Sequence, residues 1–176
     1  YNGHPDFRDL NPDLNVEAAV IIGVGNVALD VARVLAKTAS EMSVTDLVPY
    51  AAEAAHSSPI TDVHMLGRRG PVEASFTNVE LREMGELENA APVLDPAHLP
   101  GRIVADYMSD RDLRLREKNI ETMRSFLDVS PEGKSKKVHF GFYASPVEIL
   151  GRNRVEGVRI ERTTVDSKGK VHGTGE

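Results

Sequence analysis

One short segment constrains this chain more than any other. In "AAVIIGVGNVALD", residues 18–30, a run of alanines and β-branched residues meets two glycines, and the period of the apolar positions then changes. Ala18-Ala19-Val20-Ile21-Ile22 has the composition of a strand buried on both faces, and Gly23 ends it. From Asn26 onward, Val27, Val31, Val34 and Leu35 fall at helical spacing, with Asp30 and Arg33 on another face. A strand that passes straight into a helix through Gly23-Val24-Gly25-Asn26-Val27-Ala28 matches the dinucleotide-binding turn, with alanine in its third place. Gly23 permits the tight turn, Gly25 lets a pyrophosphate approach the backbone, and Ala28 lets the helix sit near the sheet. Free N–H groups at the helix start, near Asn26 and Val27, are placed to receive phosphates.

The next strand of such a fold ends near the adenosine ribose, where an acidic residue selects NAD through the 2′-hydroxyl. The candidate strand here is "DVHMLG", residues 62–67, and it runs into Arg68-Arg69-Gly70. Guanidinium groups cannot accept a hydrogen bond from a hydroxyl, but they pair strongly with phosphate. The pair therefore predicts NADP(H) as the nucleotide. Arg68 follows Gly25 at about twice the roughly 20 residues of the compact motif, so an extra helix must fill the gap. The alternative is a solvated basic loop whose arginines pair with Glu73 or Glu80.

The remaining pattern supplies an α/β domain. A second helical stretch covers "TDLVPYAAEAAHSS", with Thr45 as a candidate cap or a start nearer Pro49. After the arginines, "FTNVELREMGELENA" opens like a capping box, Thr77 capping and Glu80 reaching back. "PVLD" reads as a third strand. Leu113, Ile120, Met123 and Leu127 mark an amphipathic helix, and residues 137–166 read as strand, turn and strand. The expected fold is a Rossmann-like parallel sheet flanked by helices, with an added terminal β-hairpin or meander.

Composition excludes several functions. The net charge of -6 argues against a nucleic-acid surface, and no apolar run approaches a membrane span. The absence of cysteine removes thiolate chemistry and fits a reducing, cytoplasmic compartment. His4, His56, His64, His98, His139 and His172 are scattered without metal-ligand spacing, so no metal site is expected. No catalytic triad or general acid/base pair is visible, so no catalytic residue is assigned. Both ends, "YNGHPDFRDLNPDLN" and "DSKGKVHGTGE", are rich in turn residues. They read as linkers at 1–16 and 167–176 around a domain at 17–166, as in a piece of a longer protein.

Taken together, "GVGNVALDVARVLAKT", "GRRGPVEASFTNVELREM", "VLDPA" and "FYASPVEILG" resemble, in order and spacing, the adrenodoxin reductase-like ferredoxin–NADP⁺ reductases. "YNGHPDFRDLNPDL" is similar to the segment by which that family's chain leaves its FAD domain for its NADP domain. The resemblance implies that Asn26 and Val27 bind the pyrophosphate and nicotinamide side of NADP, and that Arg68 and Arg69 grip the 2′-phosphate. It implies that Glu80 lies near the nicotinamide ribose and carboxamide, and that Glu83 couples to a histidine of the FAD domain in support of its chemistry. The family's two FAD segments are not in this sequence. The resemblance thus implies an isolated NADP(H)-binding domain, inactive alone, whose parent enzyme exchanges hydride with FAD and electrons with ferredoxin or a similar iron–sulfur protein. Two alternatives stay open: a related flavoprotein domain, as in glutamate-synthase small-subunit-like reductases, or a redox-inactive NADP(H)-binding module.

Overall fold

The computed structural model describes residues 4–7 and 9–176; Tyr1, Asn2, Gly3 and Arg8 of the expected first linker lie outside the described residues. Four parallel strands, β1 (Ala18–Ile22), β2 (Asp62–Leu66), β3 (Ala90–Leu94) and β4 (Lys136–Gly141), form one sheet in the order β1-β2-β4-β3. Three antiparallel strands follow, β5 (Ala144–Leu150), β6 (Gly157–Val165) and β7 (Val171–Gly173), in that order. The expected α/β architecture with a terminal meander is the one that forms. β7 falls within residues 167–176, the stretch read as a linker, and pairs there with β6.

Helices α1 (Asn26–Ala36), α2 (Ala39–Met42), α3 (Pro49–His56), α4 (Asn78–Glu83) and α5 (Asp110–Ser125) connect the parallel strands. Their ends follow local chemistry. Pro49 occupies the first turn of α3, where its missing N–H costs nothing, so the helix starts there and not at Thr45. Thr38 and Glu41 form a complete capping box on α2, which the sequence reading passed over. Ser109 caps α5 by accepting the Asp112 N–H. Pro92 interrupts β3 without penalty because β3 is an edge strand.

Two expectations need correction. β1 is not buried on both faces, because Val20 and Ile22 are 41% and 59% exposed. β1 lies at a sheet edge, and only its Ala19 and Ile21 face packs on the core. Nor does the valine stripe of α1 face inward: Val27 is 77% exposed, and the buried residues are Ala28, Leu29, Ala32 and Ala36. Three alanines on that face let the helix approach the strands closely, which a stripe of branched valines would prevent.

The core lies between one face of the parallel sheet and the helices. Val63 and Met65 of β2 and Val138 and Phe140 of β4 meet Leu29 of α1, Leu81 of α4, and Ile120 and Met123 of α5. Asn119 is buried among them, 2% exposed. Its amide donates to the Phe76 carbonyl at 3.0 Å and accepts from Asn78 at 3.2 Å, tying α5 to the entry of α4. Asn119→Ala leaves that buried carbonyl without its donor and should lower stability by about 1–3 kcal/mol. Urea unfolding checks this, and a midpoint equal to wild type would contradict it.

Candidate functional site

Ile22, Leu66 and Gly141 lie side by side in the parallel register, so β1, β2 and β4 end at one edge. Ligands of open α/β sheets bind outside the carboxyl ends of the strands. A cleft of about 430 Å³ opens there, lined among others by Gly23, Val24, Gly67, Arg68, Arg69 and Ser145. A second cleft of about 430 Å³, lined by Arg82, Gly85 and Glu121 among others, has neither a glycine turn nor a strand end.

The glycine turn is built as its sequence requires. Gly23 has φ +131°, a conformation that L side chains rarely adopt, and its N–H donates to the Leu66 carbonyl at 2.8 Å. Gly25 is extended; a Cβ there would stand 2.9 Å from the Ser75 hydroxyl. The room that Gly25 leaves is thus used by the chain's own loop, whose Ser75 N–H donates to the Val24 carbonyl. Ala28 is 6% exposed and packs in the core, as expected of the third position. α1 has no side-chain cap, and its first backbone bond within the helix is Leu29 N–H to the Gly25 carbonyl. The N–H groups of Asn26, Val27 and Ala28 therefore carry the positive end of the helix dipole without a helical partner. The Asn26 side chain instead accepts the Thr77 N–H at 2.8 Å, locking the start of α1 to the start of α4.

The arginine turn begins where β2 stops, at Leu66. Its backbone is bonded at every residue. Gly67 donates to Gly141 and accepts from Ala144, Arg68 accepts from the Thr163 hydroxyl at 2.7 Å, Arg69 accepts from Tyr143, and Gly70 donates to Glu73. Both flanking glycines are needed for packing. A Cβ on Gly67 would stand 2.6 Å from Val24, and one on Gly70 would stand 2.1 Å from the Tyr143 hydroxyl. Among the described residues, the exposed guanidinium groups of Arg68 and Arg69 make no ion pair or hydrogen bond. The alternative of arginines paired with Glu73 or Glu80 does not form. Glu73 bonds the Gly70 N–H and the Tyr107 hydroxyl, and Glu80 faces elsewhere. Burial and the Glu73 carboxylate push the Tyr107 phenol up, so it stays a neutral donor.

Glu80 and Glu83 both pair with Arg33 of α1, which also holds Asp30. The capping box at Thr77 is consequently half formed. Thr77 accepts the Glu80 N–H at 3.4 Å, but Asn26 already occupies the Thr77 N–H, and the Glu80 carboxylate turns to Arg33. Burial works against the Arg33 charge, and Asp30, Glu83 and Glu80 outweigh it, so the guanidinium pKa is raised. Arg33 was readable only as a neighbour of Asp30. Its two glutamates are far away in sequence, and no local signal announces them.

The expectation that the histidines assemble into nothing also fails. His64 and His139 stack with ring centroids 4.4 Å apart, and Asp62 bonds His139 at 2.7 Å. Their positions on neighbouring strands bring them together, which linear spacing cannot show.

No protein-family model matches the chain. The NADPH-ferredoxin reductase FprA of Mycobacterium tuberculosis is 38% identical over 169 residues, covering 96% of this chain and 37% of that protein. The mitochondrial NADPH:adrenodoxin oxidoreductase of Arabidopsis thaliana is 35% identical, covering 100% of this chain and 39% of that protein. A solved structure of Mycobacterium tuberculosis FprA in complex with NADPH matches with a TM-score of 0.89 at 38% identity, over 100% of this chain and 39% of that one. From end to end, the chain is thus homologous to one segment of the NADPH-dependent ferredoxin and adrenodoxin reductases, and it spans 37–39% of the length of these curated relatives.

Proposed function

We propose that this chain is the NADP(H)-binding domain of a FAD-dependent ferredoxin–NADP⁺ reductase. The observation that carries this reading is the pair of unpaired guanidinium groups on Arg68 and Arg69, held at the rim of the carboxyl-edge cleft. Two fixed positive charges with donors alone suit a dianionic phosphate and leave a ribose hydroxyl without an acceptor. The pyrophosphate of the same nucleotide lies over the first turn of α1, where the N–H groups of Asn26, Val27 and Ala28 point outward. Gly23 and Gly67, without side chains, keep the walls of the cleft low between these two anion sites.

The nicotinamide end runs toward the start of α4, which Asn26 holds against α1. Glu80 and Glu83 stand there with their charge balanced by Arg33. In this reading Arg33 is a positioning residue: it fixes the direction in which Glu80 offers its carboxylate and keeps Glu83 beside it. FAD, when bound by the rest of the parent enzyme, supplies the hydride exchange with NADP(H). The residues of this chain bind and orient the nucleotide. Electrons leave the parent enzyme for ferredoxin or a similar iron–sulfur protein, and the chain alone is inactive. A cysteine-free domain of this kind is suited to a cytoplasmic enzyme.

Alanine at both Arg68 and Arg69 removes two charge-assisted phosphate contacts, each worth about 1.5–3 kcal/mol. NADPH affinity should fall by about 100-fold or more, while NADH affinity changes by less than about 3-fold. Equal losses for the two nucleotides in a calorimetric titration would contradict the 2′-phosphate assignment. Arg33→Met leaves three carboxylates without their shared cation and should cost about 1–3 kcal/mol at neutral pH. The deficit should shrink as added salt screens the repulsion among those carboxylates. A deficit in thermal unfolding that is independent of salt would rule out this electrostatic role.

A further inference from the structure

Outside the cleft, one cluster of side chains has ligand chemistry that the nucleotide does not use. Asp62 and His64 alternate along β2 and so project from the same face of the sheet. His139 is the register partner of His64 on β4, which brings it to the same face. One ligand atom from each of the three residues lies within 4.8 Å of the others. The Asp62 carboxylate already holds one imidazole, bonding His139 Nε2 at 2.7 Å.

We infer that Asp62, His64 and His139 form a site for a borderline divalent transition metal of the zinc class, which would clip β2 to β4 on the outer face of the parallel sheet. Two imidazoles and one carboxylate are a donor set that suits zinc, cobalt and nickel better than calcium or magnesium.

Tetrahedral coordination with zinc–nitrogen bonds of about 2.0 Å places ligand atoms roughly 3.3 Å apart. Closing the cluster thus takes up to about 1.5 Å of ligand-atom movement, and the two stacked imidazoles, with ring planes 10° apart, must turn out of their stack to share one ion. The groups have that freedom, since the His139 and Asp62 side chains are 27% and 37% exposed. Lys137, the register partner of Asp62, is exposed and can carry its ammonium into solvent. Three protein ligands leave a fourth position to water. Asp62 begins β2 and the arginine turn follows its other end, so the metal site and the nucleotide cleft are separate.

Zinc titrated into the 176-residue chain against a chromogenic chelator tests the site. One zinc should bind per chain, and His64→Gln or His139→Gln should each weaken it at least 10-fold. His172→Gln, which alters the exposed Asp166–His172 pair at 2.8 Å, should leave that binding unchanged. NMR of the wild-type imidazoles gives an independent readout if either variant misfolds. The His64 and His139 ring signals should shift at substoichiometric zinc, ahead of the other histidines. Zinc binding that survives in both glutamine variants, or that is lost with His172, would overturn the inference. So would unmoved His64 and His139 rings.

Discussion

The site depends on a turn in which every residue makes a backbone hydrogen bond while both arginine side chains are left free. Gly67, Arg68, Arg69 and Gly70 each commit a peptide group to a neighbour on another element: Gly141, Ala144, Thr163, Tyr143 or Glu73. Unmade bonds at that buried edge would each cost about 1–3 kcal/mol, which is why the turn holds one shape. Tyr143 takes a share of the strain. It sits at φ +54°, an uncommon value for an aromatic residue, and packs over Gly70 where any side chain would collide. Because the peptide groups do the anchoring, neither guanidinium is used as a structural strut. Both charges remain available to a ligand.

Burial separates the task of Arg33 from that of Arg68 and Arg69. Arg33, with its side chain only 13% exposed, is surrounded by three carboxylates and holds α1 against α4. Arg68 and Arg69 are exposed and unpaired at the cleft. An exposed pair with a surface carboxylate would add little stability, so nothing is lost by leaving them open. Glu80 shows the same economy in reverse. Its N–H donates to the Thr77 hydroxyl while its carboxylate joins the Arg33 cluster, so one residue makes two structural bonds at the start of α4.

Much of this was legible in the sequence. The glycine turn, the end of β2 before the arginines, the α/β order and the terminal antiparallel strands all follow from local pattern. What stayed hidden depends on contacts between distant segments. The valines of α1 share the helical period of its alanines, and periodicity alone could not say which stripe meets the sheet. The helix chose the small residues because they let it come close. β1 has the composition of a central strand but lies at the edge, a matter of topology that composition does not encode. His64 and His139 meet only because β2 and β4 are neighbours in register. Arg33 finds Glu80 and Glu83 only once α4 is packed beside α1.

The central claim is that the first turn of α1 and the arginine turn together read a 2′-phosphorylated dinucleotide. NMR titration of the chain with NADP⁺ and, separately, with NAD⁺ tests it most directly. The account predicts that both ligands shift the backbone amides of Asn26, Val27 and Ala28, and that only NADP⁺ shifts the Arg68 and Arg69 Nε signals. Equal Nε shifts with both ligands, or perturbations confined to the cleft beside α5, would contradict it.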